Sequence, residues 1–141
     1  MVKIRQSFEQ AICILLIIGS RDEPIKSHEL SKELDVSDSY LKKVTRQLVV
    51  SNLITSKASK LGGFVLKRSF DEISLYDIFI AIEGKEKFIE TTHLVDKVFD
   101  SHLKVKETEE MIVEYLNQAE KQYKEKLKEI TLAHIVKQAH L

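Results

Sequence analysis

Between Val36 and Arg68 a segment of helical period passes directly into two short runs of strand type, and that succession restricts the folds open to the chain. Tyr40, Leu41, Val44 and Leu48 recur at i, i+1, i+4 and i+8, the stripe of a helix buried along one side. Ser37 stands just ahead of the stripe, where a hydroxyl can accept one of the first-turn amide N–H groups left without a partner. Leu53 to Ser56 and Phe64 to Leu66 follow as two candidate strands, with Gly62 and Gly63 between them to supply turn conformations. Lys42, Lys43, Arg46, Lys57, Lys60, Lys67 and Arg68 face a single acid, Asp38. The segment is therefore +6 in a chain whose formal charge is zero.

Ahead of this stretch, Ser27 is placed to cap a short helix with Leu30 and Leu34 one turn apart on its inner side. Asp35 and Val36 leave only a tight connection to the next helix. Two such helices in close succession form a helix-turn-helix, and the basic hairpin makes it a winged one. The expected fold is mainly α with a small β-hairpin wing. In that arrangement residues 37–50 form a recognition helix for the DNA major groove, and residues 53–68 form the wing. Lys42, Lys43 and Arg46 are candidates for phosphate contact, which positions a protein without specifying sequence. Ser37 and Ser39, at the helix start, are candidates for base edges. Tyr40 is open to two readings, groove contact or largely core. Ser56, Lys57, Lys60 and the Gly62-Gly63 tip are the candidates for the flanking backbone or minor groove.

Around this centre, Ser7 is read as the cap of a first helix with Phe8, Ala11, Ile12, Leu15, Leu16 and Ile18 apolar. Phe70 to Gly84 is read as another helix, with Ser74 and Asp77 as a capping-box-like start and Gly84 as its stop. The pattern weakens from Lys85 to Val105, where a loop with a short helix around His93 to Phe99 is expected. Glu107 to Ile130 then has the longest helical period. Met111, Ile112, Tyr115, Leu116, Ala119, Tyr123 and Leu127 lie on one stripe, and Glu and Lys crowd the other side, with Glu120 and Lys124 at ion-pair spacing. Such a helix is about 36 Å long, more than a small domain can cover, so the stripe calls for a second copy of the chain. Thr131 caps a last helix, Leu132 to Gln138. The domains expected are 1–84, winged helix-turn-helix, and 85–141, linker loop, dimerisation helix and terminal helix.

Charge follows the same division. Residues 1–68 hold twelve Lys+Arg and seven Asp+Glu, whereas residues 69–141 hold ten and fifteen, so +5 faces −5. The apolar run Ala11 to Ile18 is far shorter than the roughly 20 residues that cross a bilayer. The N-terminus lacks a signal-peptide cleavage site, and a cytoplasmic protein is expected. Cys13 is the only cysteine, which excludes an intramolecular disulfide and any all-cysteine metal cluster within one chain. It lies in the most apolar helix and reads as an inert thiol. No nucleophile-and-base spacing, phosphate-binding glycine loop or apolar carboxylate pair points to an enzyme.

Four motifs in order resemble the Rrf2 family of bacterial transcription regulators over almost the whole chain. They are Ser37, Ser39, Tyr40, Leu41 and Leu48; then Gly62, Gly63, Phe64 and Leu66; then Glu72, Ile73, Ser74, Leu75, Asp77, Glu83 and Gly84; and finally Thr131, Leu132, Ala133, His134, Ile135 and Val136. Leu61 stands where the family pattern has the first of three glycines. The resemblance implies a homodimer joined through the long helix, binding a partly palindromic operator in double-stranded DNA, usually as a repressor. It also implies a departure. Many members carry three cysteines ahead of the long helix for an iron–sulfur cluster, and residues 85–106 contain none. His93 and His102 do not replace three thiolates, so no iron–sulfur cofactor and no metal are expected. The expected partners are DNA, a second copy and a small-molecule or protein effector, with no membrane. The competing reading is a winged-helix module that docks on another protein instead of DNA.

Overall fold

Apolar stripes on successive helices close over one core, and a paired hairpin seals its side. The computed structural model describes residues 6–58, 60–85, 87–98 and 102–139. In order these are α1 (Gln6–Gly19), α2 (Ser27–Leu34), α3 (Asp38–Val50), β1 (Ile54–Lys57), β2 (Gly63–Leu66), α4 (Leu75–Glu83), α5 (His102–Lys128) and α6 (Leu132–Ala139). Short 3₁₀ turns occupy Phe70–Glu72 and Leu94–Lys97. The chain divides into two units. One takes everything up to Gly84 together with Leu127 onward, and the other runs from Lys85 to Lys126.

The first unit holds the core. Phe8, Ala11, Ile14, Leu15 and Ile18 of α1 are buried against Leu30, against Leu41, Val44 and Leu48 of α3, and against Ile78, Phe79 and Ile82 of α4. Removing this much apolar side-chain area from water, at about 1.5–3 kcal/mol for each large residue, holds α3 in place by the side opposite its cations. β1 and β2 pair antiparallel, from Ile54 with Leu66 to Lys57 with Gly63. A third segment joins them. The Phe64 amide N–H donates to the Ile25 carbonyl at 2.8 Å, and the Ile25 N–H returns to the Phe64 carbonyl at 3.2 Å.

Several expectations are revised by contacts distant in sequence. The helix expected over residues 70–84 is split, because Ile73 and Ser74 are extended. The Leu132 N–H donates to the Ile73 carbonyl at 2.9 Å, and the Leu75 N–H donates to the Ile130 carbonyl at 2.8 Å. α4 begins only after them, with the Ser74–Asp77 capping box formed in full. α6 and Leu127 thus belong to the first unit, where a boundary at residue 85 had placed them with the long helix. Thr131 does cap α6, and His134 completes the exchange by accepting the Thr131 N–H on Nδ1 at 3.1 Å. Ser7 lies inside α1, and Ser27 is the first residue of α2, whose N-cap Lys26 makes no side-chain cap bond. Gly63 is a strand residue of the wing, not its turn.

Candidate nucleic-acid interface

α3 starts from a tightly specified N-terminus. The Ser37 hydroxyl accepts the Tyr40 N–H at 3.3 Å, which satisfies one of the first-turn donors. Asp38, the only acid here, accepts a hydrogen bond from the hydroxyl of Ser31 on α2, and Ser31 is itself buried. That bond ties the two helices of the helix-turn-helix together. It also fixes the position of the one carboxylate carried by α3. Ser39 is exposed, and its hydroxyl lies 3.5 Å from that of Ser37.

Two rows of side chains run outward along α3, each at helical spacing: Ser39, Lys43, Gln47 and Lys42, Arg46, Val50. Together with Ser51, and with Ala81 of α4, they line an open groove of about 500 Å³. Gln47 is legible in the sequence as an outer-face residue but is not among the candidate DNA contacts, and nothing in the sequence singles out Val50 or Ala81. The i+4 step from Lys43 to Gln47 was a readable sign, whereas Ala81 is brought in by packing alone. Val50 is 73% exposed, an apolar step on the basic face. Tyr40 is half-buried and packs against the core, so its ring serves α3's seating. Thr45, also buried, returns its hydroxyl to the Lys42 carbonyl at 3.1 Å.

The wing is reorganised in a similar way. Ser56, Lys57 and Lys60 are exposed, as a backbone-contacting wing requires. Gly62 is buried and Gly63 half-buried, so neither forms the tip. A Cβ on Gly63 would lie 2.6 Å from the Ile25 carbonyl carbon and oxygen, and its φ is +152°. Glycine is required there by the close approach of Ile25. The outward residues of the turn are instead Lys60 and Leu61, and Leu61 is 78% exposed. Lys67 and Arg68 are anchors at the wing's base. Lys67 donates to Asn52 Oδ1 at 3.1 Å, and the Arg68 guanidinium lies 3.7 Å from Asp77 and donates to the Glu72 carbonyl. Among the described residues, the side chains of Lys42, Lys43, Arg46, Lys57 and Lys60 hold no ion pair. Five unneutralised cations therefore lie on α3 and the wing, in one unit.

The second unit carries the apolar stripe. Met111, Ile112, Tyr115 and Leu116 are exposed on α5, Tyr115 at 63%, and Ala119 is exposed with them. Tyr123 shares its ring edge-on with Phe88, and Leu127 is buried in the core of the first unit, so the open stripe ends before it. The residues before α5 are strapped to it. The Phe88 N–H donates to Glu120 Oε1 at 2.5 Å, and Lys124 holds the other oxygen at 2.9 Å. The Phe88 bond, more than the lysine, keeps the Glu120 carboxyl below its usual range. His93 Nδ1 lies 2.7 Å from Glu109, and Thr91 donates to the same oxygen. The side chain of His102 lies outside the described residues. Cys13 is half-buried in α1, where burial, then Glu9, pushes its thiol up, away from the reactive thiolate. Among the described residues, no three His, Cys, Asp or Glu side chains are grouped to hold a metal, and no helix is long and apolar enough to cross a membrane.

The sequence model of the Rrf2 family, described as iron-dependent transcriptional regulators, matches residues 4–138. The chain belongs to the Rrf2 family. Within it, the chain is similar to two proteins named as HTH-type transcriptional regulators. YffB of Lactococcus lactis is 36% identical over 102 residues, 71% of this chain and 65% of YffB. YwgB of Bacillus subtilis is 35% identical over 101 residues, 70% of this chain and 65% of YwgB. The chain thus matches just under two thirds of either relative's length. Solved structures share the fold. CymR, the global cysteine regulator of B. subtilis, superposes with a TM-score of 0.69 at 21% identity, covering 97% of this chain and 98% of CymR. IscR of T. potens does so with a TM-score of 0.70 at 22% identity, covering 98% and 88%. The Rrf2 winged helix-turn-helix is therefore the fold of this chain.

Proposed function

We propose that this Rrf2 chain is a cytoplasmic, homodimeric regulator of transcription that binds a partly palindromic operator and acts as a repressor by occupying it. The observation that carries this reading is the set of five unpaired cations on α3 and the wing. α3 enters the major groove with Ser37 and Ser39 toward base edges and with Lys42, Lys43 and Arg46 on phosphates. The wing places Lys57 and Lys60 on the adjacent backbone. Two copies meet through the exposed stripe of α5, so that two α3 helices address two half-sites.

The regulator works without an iron–sulfur cluster. Such clusters are held by sets of thiolates, occasionally relieved by histidine, and this chain has one cysteine, half-buried in α1 of the first unit. The residues present do not fit the group. Glu109 and Glu120 instead fasten the segment between α4 and α5, with hydrogen bonds where the resemblance places cysteines. A small-molecule or protein effector remains part of the proposal.

Binding to genomic fragments, including the DNA upstream of the chain's own gene, tests the reading by fluorescence anisotropy across a salt series. Each phosphate neutralised contributes about −0.9 to the slope of log K against log salt. The double variant Lys42→Ala/Arg46→Ala removes four cations from a dimer and should flatten that slope by about 3 to 4 units, weakening all sequences alike. Binding that ignores salt, or no binding to any fragment, contradicts the reading.

A further inference from the structure

Leu61 is the one large apolar residue at the outward end of the wing. It is 78% exposed, with Lys60 beside it and Lys57 at the end of β1, both exposed and unpaired. Single exposed leucines are common and need no explanation by themselves. This one differs in its placement. Gly62 behind it is buried, and Gly63 is locked against the Ile25 backbone, so the turn is held from its base with Leu61 projecting from it.

We propose that Leu61 is a minor-groove wedge and a specificity-determining residue of this chain, resting on the DNA-binding reading above. Lys57 and Lys60 sit on the phosphates that border the groove, and the leucine side chain lies on the base-pair edges between them. Apolar side chains used in this way lean into a base step and partly unstack it, bending the duplex toward the major groove. The cost of that deformation depends on the step. Pyrimidine–purine steps such as TA and CA yield easily, and G·C-rich flanks resist. Leu61 therefore confers a preference at positions flanking each half-site without a hydrogen bond to any base.

The test uses the full chain and two duplexes with identical half-sites. One carries TA steps where the wings fall, and the other carries only G·C pairs there. The wild-type protein should bind the TA duplex about five- to tenfold more tightly and bend it more in a phased-bend gel assay. Leu61→Gly should bring the affinity ratio close to one and reduce the bend. Its melting temperature and salt slope should stay unchanged, since the side chain is exposed and uncharged. Leu61→Met, a wedge of similar reach, should restore most of the preference. An unchanged ratio in Leu61→Gly overturns the wedge and leaves DNA binding standing. Absence of salt-sensitive binding to either duplex overturns both.

Discussion

Replacing Ile112 and Leu116 together by glutamate is expected to leave a folded monomer whose affinity for operator DNA has fallen by two orders of magnitude or more. The two positions lie one turn apart on α5 and are exposed in the single chain, so the change removes no packing from the first unit's core. In a dimer they would meet a copy of themselves. Each isoleucine or leucine buried there contributes about 1.5–3 kcal/mol, and a buried unpaired carboxylate costs more than that gain. On the proposed homodimeric function, loss of the dimer separates two linked half-site interactions into single ones, and linkage of this kind is worth about 10² to 10⁴ in affinity. Sedimentation equilibrium and anisotropy on one preparation check both halves of the expectation. A dimer of unchanged mass and affinity would place the interface elsewhere on the chain.

The second large effect is on stability. Gly63→Ala should destabilise the fold by about 3 kcal/mol, lowering the melting temperature on the order of 10 °C. Two causes act together there. The φ of +152° is strained for any side chain, and the new Cβ would meet Ile25 backbone atoms that cannot swing aside. Gly84 is the internal control. Its φ is +76°, yet nothing lies within 4 Å of where a Cβ would stand, so Gly84→Ala should cost only about 1 kcal/mol. Thermal melts of both variants check the difference, and equal losses would show that the Ile25 contact carries no weight. Because β2 is pinned to Ile25, Gly63→Ala should also loosen the wing and weaken DNA binding, whereas Gly84→Ala should not.

These same residues mark where the sequence was readable. The stripe of Leu41, Val44 and Leu48 located the buried side of α3, and all three are buried. Ser37, the Ser74–Asp77 box and Thr131 announced three helix starts, because a cap is a local event read within four residues. Gly63 could not be placed that way. Its reason is Ile25, far upstream, and no pattern around the glycine pair distinguishes a turn from a close approach. The break at Ile73 has the same character, since its partners Ile130 and Leu132 lie beyond the long helix. Leu127 carries the helical period of the α5 stripe yet is buried in the core, because it belongs with α6 to the first unit. Charge was legible as a total but not by role. Lys67 and Arg68 count toward the basic stretch and are bound into the wing's base. Leu61, absent from every electrostatic argument, occupies the tip.

The claim that α3 reads the major groove is tested most directly by methylation interference on an operator fragment. Dimethyl sulfate marks guanine N7 in the major groove and adenine N3 in the minor groove. If α3 of each subunit enters the major groove, N7 methylation should abolish binding in two blocks on one face of the duplex, separated by whole helical turns. N3 methylation should interfere only at the flanks, where the wings lie. Interference confined to adenine N3, with guanine N7 methylation tolerated throughout, would contradict it.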